Sequence, residues 1–171
     1  MSILIISSSL SADSRSRMLA LSAHQYAGKA GYDVEFVDLR DFPLPVCDGG
    51  DSFSDVNALK LSAKISAASA IILAGPVYSY SYGASAKNLV DMTGAAWKTK
   101  PVGLIVSGGG KGSYMSALSL ANSLMLDHRC PIVPKYVYAD STGFAEEGIV
   151  EDLLGRIREL VDTVKHWGEV L

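Results

Sequence analysis

The chain has 171 residues, 49% of them hydrophobic, and a formal net charge of −3. This length predicts a single domain, residues 1–171, with a core of its own. The small net charge and the shortness of every apolar run exclude a nucleic-acid-binding arm and a membrane-spanning helix, so neither nucleic acid nor a membrane is expected as a partner.

Strand-like and helix-like segments alternate along the chain. Apolar runs predict five strands, at residues 3–6, 34–37, 70–74, 102–106 and 132–138. Helices are predicted at residues 14–30, 55–68, 84–94, 113–127 and 146–167. Because the strands are apolar throughout rather than alternating, they predict a sheet that is covered by helices on both faces.

This alternation predicts an α/β fold with a doubly wound, five-stranded parallel sheet of order 2-1-3-4-5 in three α/β/α layers. In that order the direction of winding switches between strands one and three, and ligands bind outside the carboxyl ends of the strands there. The loops after strands one and three are therefore expected to lie side by side. The longest connection, residues 40–54, is either a functional loop or a surface excursion.

The loop after the first strand is rich in hydroxyl groups. Serine hydroxyls and the free N–H groups at a helix start suit a phosphate, and a neighbouring guanidinium adds charge. The candidates are Ser9, Ser11, Ser14 and Ser16, with Arg15 or Arg17. The loop lacks the glycines of G-x-G-x-x-G, so a terminal monophosphate fits it better than a pyrophosphate. The alternative is a polar surface loop in which Ser14 only caps the first helix.

The loops after the third and fourth strands carry tyrosines and glycines respectively. Residues 75–83 place tyrosines at alternate positions, which can line a flat ring or pack at a subunit contact. Residues 107–113 contain four glycines but do not form a phosphate-binding P-loop, because Ile105 and Gly112 stand where that motif needs Gly and Ser or Thr. The backbone of such a run can approach a ligand closely and donate to ring carbonyls, or it can form a flexible turn.

Taken together, these three loops resemble the NAD(P)H-dependent FMN reductase family, which has a flavodoxin-like fold. The similarity spans about residues 3–144. The first family motif maps onto Ser8-Ser9-Leu10-Ser11 with Ser14 and Ser16, the second onto Pro76, Tyr78, Ser81, Gly83, Lys87 and Asn88, and the third onto Ser107-Gly108-Gly109. The chain departs from the pattern at Ser8, where the family has Gly, and at Ser11, where it has Arg.

The resemblance implies FMN as cofactor and NADPH, or NADH, as electron donor. It implies that the first loop holds the FMN phosphate, the second flanks the flavin ring and the third contacts its pyrimidine edge. The residues implicated are Ser9, Ser14, Arg15 and Ser16, then Pro76, Tyr78, Ser79, Tyr80 and Ser81, then Ser107, Gly108 and Gly109. Since a flavin carries the redox chemistry, no side chain is nominated as a catalytic acid or base and no metal ligand is expected.

The predicted function is hydride transfer from reduced nicotinamide to FMN, followed by electron transfer to a second acceptor or release of the reduced flavin. The alternatives are a flavodoxin-type electron carrier without nicotinamide activity, an FMN-dependent quinone, azo or chromate reductase, and a domain that kept the fold for sensing alone. The amino-terminal residues lack the pattern of a secretory signal, which predicts a cytoplasmic location.

The predicted helix at residues 113–127 is apolar on nearly all sides and must bury more than one face. Its apolar residues are Ala117, Leu118, Leu120, Ala121, Leu124, Met125 and Leu126. A homodimer or homotetramer would cover the second face, as the family resemblance implies. Leu89, Val90, Met92 and Trp97 are candidates for the same contact.

Overall fold

The computed structural model describes residues 1–171 as a parallel sheet with helices on both faces. The parallel strands are β1 (Ser2–Ser7), β2 (Asp33–Asp38), β3 (Ala70–Tyr78), β5 (Val102–Ser107) and β6 (Val137–Ala139), in the order β2-β1-β3-β5-β6. A short strand, β4 (Ser81–Tyr82), pairs antiparallel with the end of β3. The predicted order 2-1-3-4-5 of the parallel strands is thus confirmed.

Five α-helices cover the two faces of this sheet. They are α1 (Arg15–Lys29), α2 (Val56–Ala67), α3 (Ala84–Thr93), α4 (Ala117–Leu126) and α5 (Glu151–Val170). Buried side chains of α1 and α5 pack on one face, and those of α2, α3 and α4 pack on the other. None of the helices is long and apolar enough to cross a membrane.

The central strands contribute to both cores, which explains their unbroken apolar runs. In β3, Ile71 and Leu73 belong to the core under α2–α4, whereas Ile72 and Ala74 belong to the core under α1 and α5. Successive side chains of a strand point to opposite faces, so a strand covered on both sides needs apolar residues at every position.

Four elements differ from the sequence prediction by more than one residue. The helix predicted at residues 113–127 begins as α4 only at Ala117, because Lys111–Ser116 form a 3-10 helix before it. The fifth strand pairs only at Val137–Ala139, and Ile132 makes a single bridge to Val102; Pro134 lies between them and cannot donate a ladder hydrogen bond. The third strand continues to Tyr78 and turns back as a hairpin. The last helix begins at Glu151 rather than 146, because β7 (Phe144–Ala145) and β8 (Gly148–Ile149) form a hairpin before it.

The expected two-sided apolar character of α4 is confirmed, but its proposed neighbours are core residues. Leu120 and Leu124 are buried, while Leu118, Met125 and Leu126 are exposed. Leu89, Val90, Met92 and Trp97 are all buried within the subunit. The Trp97 indole N–H donates to Thr93 Oγ1 at 2.8 Å, so this side chain serves the core and not a partner surface.

An ion cluster closes the carboxyl end of β2. The side chain of Asp38 is only 4% exposed and accepts from Arg17 Nε at 2.6 Å and from Arg40 Nη2 at 2.7 Å. Burial by itself would raise the pKa of this carboxyl, but the hydrogen bonds from Arg40 and Arg17 outweigh it and hold the pKa below its usual range. The cluster ties α1 to the end of β2.

Replacing Asp38 with Asn tests this cluster. We expect Asp38→Asn to lower the free energy of unfolding by about 2 kcal/mol at neutral pH, since two charge-assisted bonds are lost. Because the folded pKa is depressed, the stabilisation is complete above the unfolded pKa of about 3.9 and is lost as the pH falls through the folded value. Urea unfolding of the unchanged protein and of Asp38→Asn, between neutral pH and pH 3, measures the difference in their free energies of unfolding. This difference should narrow below about pH 4. A difference that widens on acidification would contradict this account.

Candidate functional site

The three loops predicted from the sequence lie together at the carboxyl edge of the sheet. Ser8, the first residue after β1, donates its N–H at 2.8 Å and its hydroxyl at 2.9 Å to the carbonyl of Ala74 in β3. Farther along the edge, Pro76 pairs with Ser107 of β5, and the N–H of Gly108 donates to the carbonyl of Ala139. The expectation that the loops after strands one and three are adjacent is confirmed.

The β1–α1 loop, residues 8–14, gathers hydroxyl groups at the start of α1. Ser9 and Ser16 are each 1% exposed, and Ser14 Oγ lies 3.1 Å from Ser16 Oγ. Ser14 is the N-cap of the helix, where its hydroxyl accepts from the N–H of Arg17. The other N–H groups of the first helical turn have no acceptor within the helix. Buried hydroxyls beside free N–H groups form a donor set for an anion.

Two other residues predicted for this loop, Ser11 and Arg15, do not belong to the set of buried hydroxyls. Ser11 is exposed, and its N–H donates to Ser9 Oγ at 3.3 Å. The guanidinium of Arg15 stacks over the ring of Phe144 at 5.1 Å. Of the hydroxyls predicted for this loop, those of Ser14 and Ser16 are in contact with each other, and Ser9 is buried earlier in the loop.

The loop after β3 is a tight hairpin rather than an open loop. Ser79 and Tyr80 occupy its two turn positions with φ of 48° and 62°. Such a turn favours Asn and Gly, so Ser and Tyr are held there against their preference. The rings of Tyr78 and Tyr80 are exposed at the edge of the sheet, whereas Tyr82 is buried and donates its hydroxyl to the carbonyls of Leu73 and Ile105.

Ser81, the last predicted residue of this hairpin, has a hydroxyl partner outside it. Its Oγ lies 2.9 Å from Ser119 Oγ on α4. Behind the hairpin, a Cβ at Gly75 would lie 2.5 Å from Ser8 Oγ and 2.8 Å from the ring of Tyr82. Only glycine fits between the β1–α1 loop and the hairpin, which keeps these two parts of the site in contact.

A tyrosine cluster (Tyr114, Tyr136 and Tyr138) holds the glycine-rich loop after β5. The Tyr138 hydroxyl donates to the carbonyl of Gly110, and the Tyr136 hydroxyl donates to the carbonyl of Tyr114. The rings of Tyr114 and Tyr136 stack at 5.1 Å. Burial, together with Tyr114, raises the pKa of Tyr136 to about 12, so its hydroxyl stays protonated as a donor. A Cβ at Gly108 would overlap with the Tyr138 hydroxyl, so the loop passes as close as a glycine allows.

Sequence reasoning missed this cluster. The signal available was the pair Tyr136 and Tyr138, two positions apart at the end of the last strand-like run. Alternate residues of a strand share one face, so both rings reach the same side of the sheet, on which Tyr114 and the glycine loop lie. Along the carboxyl edge of the sheet, the three loops thus place buried hydroxyls after β1, exposed aromatic rings after β3 and a pinned glycine loop after β5.

Comparisons with known proteins show which family the sequence resembles. The sequence model of the NADPH-dependent FMN reductase family matches residues 1–144. An NAD(P)H-dependent FAD/FMN reductase of Geobacillus thermodenitrificans is 25% identical over 138 residues, which cover 78% of this chain and 75% of that protein. An NAD(P)H-dependent FMN reductase of Schizosaccharomyces pombe is 27% identical over 169 residues, which cover 91% and 80% of the two chains.

Solved structures support the fold. The flavoenzyme NAD(P)H:(acceptor) oxidoreductase FerB of Paracoccus denitrificans superposes with a TM-score of 0.79 at 24% identity, over 99% of this chain and 97% of that one. A flavodoxin from Archaea superposes with a TM-score of 0.67 at 14% identity, over 99% of both chains. These likenesses show a flavodoxin-like fold. The family match covers residues 1–144, which is most of the chain, and the chain belongs to the NADPH-dependent FMN reductase family.

Proposed function

We propose that this chain binds FMN across the three loops at the carboxyl edge and reduces it with NADPH. Family membership makes the chain an oxidoreductase that uses FMN and a reduced nicotinamide. The observation that carries the proposed site is the pair of hydroxyls on Ser14 and Ser16, buried 3.1 Å apart at the start of α1. Their donor chemistry fits the terminal phosphate of a mononucleotide.

The proposed phosphate site uses Ser9, Ser14 and Ser16 with the N–H groups of the first turn of α1. The positive end of the helix dipole adds about half an elementary charge there. Ser11 lies at the rim, where its exposed hydroxyl can reach a phosphate oxygen from the solvent side. Arg15, stacked on Phe144 at the same helix start, contributes positive charge to the surroundings.

The proposed ring site lies between the hairpin and the glycine loop. Pro76, Tyr78, Ser79, Tyr80 and Ser81 flank the ring, and the exposed tyrosine rings offer flat apolar surface for it. Ser107, Gly108 and Gly109 are placed against its pyrimidine edge. The N–H of Gly108 is already bound to Ala139, so it anchors the loop to β6, and Tyr138 holds the shape of the loop. When bound, FMN supplies the hydride and electron chemistry; the chain positions the ring and controls access to it.

The proposed assembly is a homodimer, or a pair of such dimers, formed in a cytoplasmic protein. The apolar face of α4 supports this, since Leu118, Met125 and Leu126 are exposed on one helix. A second copy packing on these side chains would remove them from water, which stabilises the complex by about 25 cal/mol for each Å² buried.

Adding FMN and then NADPH to the purified protein tests the function. We expect FMN to bind and raise the melting temperature, because a ligand that binds only the folded state stabilises it. Under anaerobic conditions NADPH should then bleach the visible absorption of the flavin. Bound flavin that NADPH and NADH leave oxidised would instead identify an electron carrier, and a melting temperature indifferent to FMN would exclude the site.

Substituting Ser16 with Ala tests the phosphate site. We expect Ser16→Ala to weaken FMN binding about tenfold, which corresponds to the loss of one charge-assisted hydrogen bond. Riboflavin has no phosphate, so its affinity should stay the same. Fluorescence titration with both flavins measures this, with Ser66→Ala on the exposed end of α2 as control. Equal losses for FMN and riboflavin would place Ser16 away from the phosphate.

Substituting Tyr138 with Phe tests the pinned glycine loop. The change removes the hydrogen bond to the carbonyl of Gly110 and leaves the ring in place. Since the loop is assigned to the flavin ring and not to the phosphate, we expect FMN and riboflavin to lose affinity together, by about threefold to tenfold. Tyr32→Phe is the matched control, because the Tyr32 hydroxyl bonds to Asp162 of α5, outside the site. An effect on FMN alone would contradict this role.

A further inference from the structure

A small polar cavity lies between the glycine-rich loop, the end of β6 and the beginning of α5. Its volume is ≈ 320 Å³, at the lower end of the range for small-molecule sites. This volume suits a molecule the size of an amino acid and is too small for a dinucleotide. The charged side chains of its lining are Lys111, Asp140, Asp152 and Arg156. None of the residues assigned above to the flavin lines this cavity.

The four charged side chains of the lining have no ionic partner in the chain. None of them belongs to an ion pair. Asp152 and Arg156 stand one turn apart on α5, a spacing at which side chains can pair, and yet they remain separate. The cavity therefore presents two cations and two carboxylates, and their charges sum to zero.

The charged groups around the cavity do not alter this balance. On α5, Glu151 is paired with Arg158, and Glu159 is paired with Lys135. The turn residues 146 and 147 between β7 and β8 are both glutamates, but neither lines the cavity. A ligand therefore interacts mainly with the four charges of the lining.

Asp140 is a buried carboxylate with one free oxygen. The residue is only 8% exposed, and its Oδ1 accepts from the N–H of Thr142 at 2.8 Å and from the Thr142 hydroxyl at 2.6 Å. No group of the chain bonds to Oδ2. The hydrogen bonds from Thr142 outweigh burial and, together with the charge of Lys111, hold the pKa of this carboxyl below its usual range. Oδ2 therefore stays an anionic acceptor, which an ammonium group would satisfy.

Arg156 offers donors of the opposite kind close to this oxygen. Its Nη1 donates to the carbonyl of Tyr138 at 3.3 Å, while Nε and Nη2 have no partner. The Cα atoms of Tyr138 and Asp140 are two residues apart, hence at most about 7 Å. One small molecule can thus reach both the guanidinium and the carboxylate. The planar guanidinium suits a carboxylate of the ligand.

The walls of the cavity are preformed and partly apolar. The N–H of Val150 donates to the carbonyl of Gly143 at 3.1 Å, and a Cβ on Gly143 would lie 2.7 Å from Leu153 Cδ2, so the turn after β6 is packed against α5. The rings of Tyr114 and Tyr138 meet edge to face at 5.7 Å and, with Leu153, supply apolar surface. Binding a ligand therefore requires little ordering of the chain.

We propose that this cavity binds an α-amino acid with an apolar side chain, in its zwitterionic form. The carboxylate of the ligand bonds to Arg156 and Lys111, its ammonium group bonds to Oδ2 of Asp140, and its side chain packs on the apolar wall. Asp152 adds attraction for the ammonium group. A simple anion or cation would meet two like charges in the lining, whereas a zwitterion has an opposite charge for each pair.

L-Leucine is the probe for this cavity. We expect calorimetric titration of the purified chain to show that leucine binds, and that it still binds after saturation with FMN. Isocaproate is leucine without its ammonium group, and isoamylamine is leucine without its carboxylate. Each should bind at least about tenfold more weakly, because a charge-assisted contact is lost. Glycine keeps both charges but should also bind more weakly, since it has no side chain to pack on the apolar wall.

Substitutions assign each charge of the ligand to a side chain. Asp140→Asn should weaken leucine about tenfold and isocaproate not at all, because isocaproate has no ammonium group. The amide oxygen can still accept from Thr142, so the turn should keep its shape. Arg156→Gln should weaken leucine about tenfold and isoamylamine not at all, because isoamylamine has no carboxylate. Lys111→Gln, on an exposed loop where folding is not at risk, should act in the same direction as Arg156→Gln.

The matched controls are Asp127→Asn and Arg129→Gln, two exposed residues at the opposite, amino edge of the sheet. Leucine that does not bind, or that FMN displaces, would place no amino acid in the cavity. Analogues that bind as tightly as leucine would show that the two opposite charges are not both recognised. Losses for Arg156→Gln that are equal for leucine and isoamylamine, or no larger than those for Arg129→Gln, would also overturn the assignment. A protein that binds leucine but not FMN would keep the amino-acid site and refute only the proposed flavin site.

Discussion

The contact between Ser8 and Ala74 is the constraint on which the site depends. Ser8 donates both its N–H and its hydroxyl to one carbonyl of β3, at 2.8 and 2.9 Å. These two hydrogen bonds hold the end of β1 at a fixed distance from β3. Because Gly75 has no Cβ, there is space beside it for the Ser8 side chain. Ser85 of α3 then donates to the carbonyl of Ser8 at 2.5 Å. The loop with the hydroxyls and the hairpin with the tyrosines are therefore one connected unit.

Much of the fold could be predicted because the sheet is buried on both faces. A strand such as Ile71–Leu73 must then be apolar throughout, and right-handed crossovers leave few possible strand orders. The extent of the fifth strand was harder to predict, because the apolar run at 132–138 indicates burial whether or not its backbone forms a hydrogen-bonded ladder. Its pairing depends on Pro134, which interrupts it, and on the length of β5 beside it. The hydrophobic pattern of one segment indicates its burial, whereas strand pairing depends on two segments together.

The candidate site likewise combines features that one segment predicts with contacts that depend on two segments. The loops and their hydroxyls follow from the strand order and the residue types. Which side chains meet there cannot be predicted in this way, because the spacing of residues along one segment gives no information about the segments that pack beside it. Arg15 stacks on Phe144 of a distant hairpin, and Arg40 joins Arg17 through a carboxylate of β2. The tyrosines that hold the glycine loop come from the last strand-like run, far away in sequence.

The distribution of cations bears on how firmly the chain would hold FMN. Arg15 is stacked on Phe144 and Arg17 is bound to Asp38, so both arginines of the first helical turn already have partners. The proposed phosphate site therefore relies on neutral hydroxyls, backbone N–H groups and a helix dipole. Hydrogen bonds to an ionised phosphate are charge-assisted and roughly twice as strong as neutral ones, and Arg15 adds only its charge at a distance, without a direct bond to the phosphate. The contribution of this donor set to FMN binding therefore depends on how many hydroxyl and N–H groups reach the phosphate at the same time.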